Sequence, residues 1–247
     1  MDLKKCEYKG FDVFYFKKKE LDLGKNIIDK KYIIDSILKE SKRNYVAVVK
    51  INDVKYLLKE PRNEYRLIQR HIMSFFKKGE ALTTLLNIRN HIANGLIEYG
   101  IPYTAIVKRK NGFIEYSAIL FEYYVGKPVG EYPVGEDSVF YKNIVLEVCK
   151  KIHKLDIYHG DVNVWNFIIA DNKIKILDTQ GKKMLLGNYR AHYDMLNFKI
   201  ENYHEMMYPY NKNIWYYFAL SLKKFKKLKI IQKIKETRHI KRDGFNE

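Results

Sequence analysis

Residues 158–181 read YHGDVNVWNFIIADNKIKILDTQG. The polar residues fall in a definite order: His159-Gly160-Asp161, then Asn166, then Asp178. Between Asn166 and Asp178 the pattern predicts a β-hairpin. Phe167, Ile168 and Ile169 form one apolar strand, Asp171-Asn172 is a turn pair that tolerates left-handed backbone, and Ile174, Ile176 and Leu177 form the return strand. Two short strands joined this tightly are expected to hold Asp161, Asn166 and Asp178 near one another. Such a group offers one carboxylate able to take a proton and two oxygen ligands for a hard cation. Mg²⁺ favours a few ligands of this kind together with substrate phosphates. A surface hairpin with turn-capping Asp and Asn residues is the plain structural alternative.

Moving upstream, residues 137–155 predict a helix that delivers the chain to this stretch. Tyr141, Val145, Val148, Cys149, Ile152 and Leu155 recur every three or four positions as one apolar stripe. Residues 101–108 and 112–121 read as two strands joined at Asn111-Gly112, the second running into Glu122-Tyr123-Tyr124 and then Val125-Gly126-Lys127-Pro128. Another hairpin joins the β-branched run 45–51 to 54–59 through Asn52-Asp53, and Glu60-Pro61 stops it. It ends in Lys59, with Lys55 on the same strand face. Residues 62–78 read as a basic helix with Tyr65, Ile68, Ile72, Phe75 and Phe76 at helical spacing. After Gly79 a second helix begins at Glu80, with Leu82, Leu85 and Leu86 facing inward. Residues 1–44 read as a lead-in: a short strand at Phe11–Tyr15, then isoleucines between Ile27 and Leu38 whose period fits helix or strand.

His-Gly-Asp, four residues, Asn, a hairpin and Asp resembles the catalytic loop and metal-binding Asp of the protein-kinase-like fold. The resemblance implies an α+β chain in two lobes. Residues 1–124 would form an antiparallel-sheet, nucleotide-binding N-lobe, and residues 125–247 a compact, mainly helical C-lobe. It implies ATP and Mg²⁺ as cofactors. Asp161 takes the place of the base, Asn166 and Asp178 those of metal ligands, and Lys59 that of the lysine on the α- and β-phosphates, with Lys55 a rival. Glu80 would pair with that lysine, Glu64 being the alternative. The backbone near Glu122–Tyr124 would bond the adenine edge. Asp194 would begin a helix and brace the catalytic loop, and His159 would orient it.

Departures from the pattern narrow the class. Residues 36–48 contain no glycine, so the backbone cannot approach phosphates as a Gly-rich loop does, and Ser41, Lys42 and Arg43 would have to cover them with side chains. Gly160 stands where regulated protein kinases carry Arg, Asn163 where Ser/Thr kinases carry Lys, and Thr179-Gln180 where Phe-Gly is usual; no Ala-Pro-Glu motif follows. These point to an unswitched small-molecule or carbohydrate kinase. Within that class, residues 45–200 are similar to the lipopolysaccharide core heptose kinases, through Leu57-Leu58-Lys59-Glu60-Pro61-Arg62, Gly79-Glu80-Ala81, the His-Gly-Asp loop and Asp178-Thr179-Gln180. The resemblance implies an anionic glycolipid acceptor. Another acceptor on the same fold, or a catalytically inactive basic module, are the competing readings.

Composition sets the outer bounds. A chain of 247 residues with 47% hydrophobic and 15% aromatic content can bury a sizeable core. Two distant cysteines, Cys6 and Cys149, suggest neither a disulfide framework nor a zinc site. No signal peptide or 18-residue apolar run is expected, which suits a cytoplasmic protein, peripheral at most to the inner membrane face. The formal charge of +17 favours anionic partners, although 37 Lys against 9 Arg also reflects an AT-rich codon bias. No nucleic-acid-binding motif accompanies that charge, and no nucleic-acid partner is expected. Residues 222–242 carry ten Lys/Arg against Glu236, with Leu222, Phe225, Leu228, Ile231 and Ile234 every third position, which would suit an anionic membrane surface or packing on the C-lobe.

Overall fold

Asn, Asp and Gly pairs in left-handed backbone set the hairpins. Asn52 and Asp53 have φ of 49° and 62°, Asn111 and Gly112 50° and 83°, and Asp171 and Asn172 49° and 58°. Two consecutive positive φ values match the twist of the flanking strands, and these residues adopt them at little cost. The computed structural model describes residues 2–132, 136–198, 208–226 and 228, and for 136–139 the backbone alone.

The elements, in chain order, are β1 (Lys4–Tyr8), β2 (Phe11–Tyr15), α1 (Lys18–Ile28), β3 (Ile33–Glu40), β4 (Tyr45–Ile51), β5 (Val54–Glu60), α2 (Asn63–Arg66), α3 (Ile68–Ser74), α4 (Glu80–Ala93), β6 (Pro102–Lys110), β7 (Phe113–Glu122) and β8 (Lys127–Pro128). There follow α5 (Glu136–Lys154), β9 (Ile157–Tyr158), β10 (Phe167–Ala170), β11 (Lys173–Ile176), β12 (Lys182–Lys183), α6 (Tyr189–Asn197) and α7 (Ile214–Lys226). They form two compact units: Met1–Tyr132 with Phe167–Gly181, and Pro133–Asn166 with Lys182–Glu247.

The first unit is a seven-stranded antiparallel sheet in the order β1-β2-β6-β7-β5-β4-β3. Strand alternation gives it two apolar faces. Ala47, Val49, Leu58, Ile106 and Leu120 pack with Ile27 of α1 on one face. On the other face Ala105 and Ile119 pack under Ala81 and Leu85 of α4. Gly24 lets α1 lie close, since a Cβ there would fall 2.6 Å from Val13. The lead-in is therefore part of the sheet: β1 and β2 extend it beyond β6, and the ambiguous isoleucines divide, Ile27 and Ile28 ending α1 and Ile33 opening β3.

The single helix expected over 62–78 is instead two short ones. Leu67 is extended (φ −103°, ψ 115°) and separates α2 from α3. Ile68, Ile72, Phe75 and Phe76 are all exposed.

β10 and β11 pair with each other, and β10 pairs with β8. Gly100 N–H donates to Ile176 O (3.1 Å), and Ile176 N–H to Glu98 O (2.7 Å). These bonds are why the hairpin belongs to the first unit. In the second unit Val145, Val148, Cys149 and Ile152 form the buried stripe of α5, whereas Leu155 is half exposed. β9 pairs with β12. Asp194 lies inside α6 rather than at its start. Cys6 and Cys149 are both free thiols. Of the expected basic helix over 222–242, α7 carries the chain to Lys226, and the stretch beyond Leu228 lies outside the described residues.

Gly126 marks a tight approach: an added Cβ would lie 2.2 Å from Ile169 O and 2.9 Å from its carbonyl carbon. Backbone on β10 cannot yield as a side chain would. Gly126→Ala is expected to cost about 1–3 kcal/mol, the range for overpacking, read as a lower urea midpoint at unchanged slope.

Candidate active site

β5 is hydrogen-bonded on both sides, Lys59 pairing with Val46 of β4 and Ile119 of β7. Its side chain is therefore aimed by a rigid frame. The Lys59 ammonium lies 2.5 Å from Asp178 Oδ1 and 3.4 Å from Glu80 Oε1. Burial pushes the Lys59 pKa down, but the Asp178 and Glu80 carboxylates more than offset this and hold it above the ordinary lysine value. The rival Lys55 is engaged elsewhere, 2.8 Å from Asp35.

Glu80 opens α4, and Glu64 has a different task from the one considered for it. Its Oε1 accepts the backbone N–H of Glu80 at 2.6 Å. Glu64 thus caps the helix whose first residue reaches Lys59, supplying an acceptor and a negative charge where the helix end needs both. Burial, the largest influence, raises the Glu64 pKa, with the charge of Glu80 adding to it and the amide hydrogen bond opposing it.

The same helix holds the Asp178 loop. Asn87 Nδ2 donates to Gln180 O (3.0 Å), and His91 Nε2 lies 2.7 Å from Gly181 O. Glu80, Asn87 and His91 stand at i, i+7 and i+11, one face of a helix. Asp178 itself has φ 48°, and Gly181 N–H donates to Thr179 Oγ1 at 3.1 Å. A Cβ on Gly181 would lie 2.9 Å from the His91 ring. Neither Asn87 nor His91 emerged from sequence reasoning, although their spacing from Glu80 was the available signal.

In the second unit the catalytic-loop candidate is braced from below. The buried Asp194 carboxylate accepts the N–H of His159 (2.7 Å) and of Gly160 (2.9 Å). Gly160 has φ 93°. His153 Nε2 lies 3.2 Å from Asp194 Oδ2, and its Nδ1 2.6 Å from the Tyr210 hydroxyl. Asn166 Nδ2 donates to Asp161 O at 2.8 Å, and Asn163 Nδ2 to the same carbonyl at 3.2 Å. Asp161 is exposed, so its backbone is fixed while its carboxylate faces solvent. Asn163 Oδ1 also accepts the Trp165 N–H at 3.0 Å, and the Trp165 side chain is exposed. His153 and Tyr210 were not foreseen, because they touch the loop only through Asp194.

The strand end proposed for adenine is partly occupied by its own chain. Glu122 N–H donates to Ile101 O (2.9 Å), and the Tyr124 hydroxyl donates to Glu122 Oε2 (2.5 Å). Burial first, and then the Glu122 carboxylate, push the Tyr124 pKa well up. The turn between β3 and β4 is closed by Ser41, whose hydroxyl accepts the N–H of Arg43 (3.3 Å) and Asn44 (3.1 Å).

No protein-family model matches the chain. Among characterised proteins it is similar to the lipopolysaccharide core heptose(II) kinase WaaY of Escherichia coli, 22% identical over 181 residues, covering 71% of this chain and 76% of that protein. Among solved structures it is similar to the Rio2 kinase of Chaetomium thermophilum in its complex with ADP, Mg²⁺ and phosphoaspartate. That match has a TM-score of 0.52 at 14% identity over 88% of this chain and 70% of that one. The kinase domain of PknI from M. tuberculosis aligns over 66% of this chain and 68% of its own, with a TM-score of 0.43 and 14% identity. The chain has a protein-kinase-like fold. Its sequence resembles the lipopolysaccharide core heptose kinases.

Asp194→Asn replaces an acceptor with a donor against two backbone N–H groups in a buried site. Charge-assisted bonds of this kind contribute about 1.5–3 kcal/mol each, and an orphaned buried donor costs more. Unfolding in urea is expected to show a loss of about 2–4 kcal/mol.

Proposed function

We propose that this protein transfers the γ-phosphoryl group of ATP to a heptose hydroxyl of the lipopolysaccharide inner core. The observation that carries the phosphotransfer reading is the Lys59 ammonium set between Glu80 and Asp178. That is the arrangement a phosphate-clamping lysine requires, with one carboxylate to hold it and one oxygen ligand beside it. The heptose acceptor draws its support from the similarity to the Escherichia coli enzyme.

The residues fit Mg²⁺ by donor type. Asp178 is half exposed and offers carboxylate oxygens, and Asn166 offers an amide oxygen while its Nδ2 is spent on Asp161 O. Among the described residues no group of three or more His, Cys, Asp and Glu forms a metal cage. Mg²⁺ suits such a sparse set because it takes its remaining ligands from phosphate and water, and when bound it would neutralise phosphate charge. In the reaction Asp161 accepts the proton of the acceptor hydroxyl. The acceptor's hydroxyl oxygen then bonds to the γ-phosphorus as the bond from that phosphorus to the bridging β–γ oxygen breaks and ADP leaves. Lys59 clamps the α- and β-phosphates, and Glu80 keeps it from swinging away. The backbone around Glu122–Tyr124 receives adenine.

An inner-core acceptor implies work at the cytoplasmic face of a membrane. The charge of +17 suits such an anionic surface, and among the described residues no helix is long and apolar enough to cross a bilayer. A second reading, an inactive nucleotide-binding-like module, is favoured by the Ser41 turn, whose amides are already bonded within the turn.

Purified protein with Mg-ATP and core glycolipid from a kinase-deficient strain is expected to add one phosphate to heptose by mass spectrometry; no added mass refutes the acceptor. Asp161→Ala should lower turnover by about 10²–10⁴-fold, the usual worth of a general base, while a Mg-ADP thermal shift persists. Lys59→Met should instead abolish that shift. At 100 times Kd, nucleotide stabilises the folded state by about 2.7 kcal/mol, so the loss is readily seen. A wild-type protein that shows the shift and transfers nothing to any acceptor would favour the second reading.

A further inference from the structure

Two segments of the second unit contain no acidic residue: 182–193, KKMLLGNYRAHY, and 208–228, YPYNKNIWYYFALSLKKFKKL. The structure joins them into one surface. Gly187 (φ 50°) sits so close to Trp215 that a Cβ would fall 2.3 Å from the indole. Tyr189 of α6 meets Phe218 of α7 edge-on, with ring centroids 5.3 Å apart, and Trp215 lies 6.4 Å from Phe218.

Just before Gly187, Leu185 is 90% exposed and Leu186 67%. On α7, Ile214, Phe218 and Phe225 stand at i, i+4 and i+11, one stripe, and all three are exposed, Ile214 at 76%. Ala219, on the opposite side of the helix, is the buried residue. Lys182, Lys183, Lys212 and Lys224 are exposed around this surface. The Lys226 ammonium is held 2.9 Å from the Tyr193 hydroxyl. The Arg190 guanidinium carbon lies over the rings of Tyr189 and Tyr158, 4.9 and 5.1 Å from their centroids.

We propose that this face, Leu185-Leu186 with the Ile214/Phe218/Phe225 stripe, seats on an anionic lipid bilayer. An exposed apolar stripe with Trp and Tyr at its margin, in segments whose charged residues are all cations, has the composition of an interface-lying helix. The lysines select a negatively charged surface. A second copy is a poor occupant: every charged side chain of segments 182–193 and 208–228 is positive, so a two-fold contact between them would set cation against cation. The inference rests on the proposed membrane-anchored acceptor for its purpose, but lipid binding is read without catalysis.

The test is flotation of the full chain with vesicles of phosphatidylcholine alone or mixed with phosphatidylglycerol. Binding is expected to the mixed vesicles only and to weaken with salt. Leu185→Glu/Leu186→Glu, and separately Ile214→Glu, should reduce it by about tenfold or more at an unchanged melting temperature, because these side chains are exposed. In a Trp165→Phe background, Trp215 fluorescence should be quenched by brominated lipid. Equal binding to neutral vesicles overturns the proposal. So does undiminished binding of the Glu variants, which would assign lipid contact to the basic residues beyond 228. A wild-type dimer that the Glu variants dissociate in sedimentation velocity would assign the face to a second copy, and also overturns it. Failure of the kinase reading looks different: no phosphate transfer to any acceptor, with vesicle binding intact. Failure of this inference leaves transfer to detergent-dispersed acceptor intact, with no vesicle binding.

Discussion

The Lys59 ammonium, shared by Glu80 and Asp178, ties the first unit together. Three pieces of chain far apart in sequence meet at one charge: a central strand, the first turn of α4 and the loop after β11. Burying a lysine is costly unless carboxylates compensate it, and the largely buried Glu80 would in turn be left without its cation, whereas the half-exposed Asp178 can be solvated by water. The two costs constrain each other, so the geometry is held from both ends. Around this contact the other polar groups are arranged in support. Glu64 caps the helix that presents Glu80, and Asn87 and His91 on the same helix face hold the carbonyls that follow Asp178. One helix thereby sets the position of both carboxylates.

The second unit solves a parallel problem with a different pairing. Asp194 is buried against backbone amides rather than a lysine, and its two oxygens fix the turn at His159-Gly160. Carboxylates number 29 against 46 basic side chains. Several of those few, Glu64, Glu80 and Asp194 among them, are placed to organise backbone or a buried cation. The lysines lie mostly outside, where water solvates them and an anionic partner can meet them. A large net charge thus coexists with interiors in which charges are paired.

Glycine is used where backbone must approach backbone or turn left-handed, at Gly126, Gly160 and Gly181, and not between β3 and β4. There Ser41 supplies the turn by bonding the following amides with its hydroxyl. The device makes a stable corner but spends N–H groups that a Gly-rich loop would offer to phosphate. The lysine clamp and the oxygen ligands therefore carry more of the proposed phosphate recognition than in kinases with such a loop.

Local patterns were legible wherever local forces decide the structure. The hairpins at 52–53, 111–112 and 171–172 followed from turn pairs whose backbone preference does not depend on the rest of the chain. Lys59 and Asp178 could be picked out through the resemblance to the protein-kinase-like fold, since 119 residues separate them along the chain. Periodicity was a poorer guide between residues 62 and 78. It reports which side chains share a face, not whether anything covers that face, and Ile68, Ile72 and Phe76 lie in the open. In the lead-in the strand Phe11–Tyr15 was legible but its place was not: whether β1 and β2 join a sheet depends on β6, some ninety residues away. Most clearly, the sequence, through its resemblance to the protein-kinase-like fold, named Glu80 as the partner of Lys59 and left Glu64 as the alternative. Only the tertiary structure decided that Glu80 does so while Glu64 caps its helix, because the choice depends on how α2 and α4 are packed on the sheet, and no spacing along the chain encodes that.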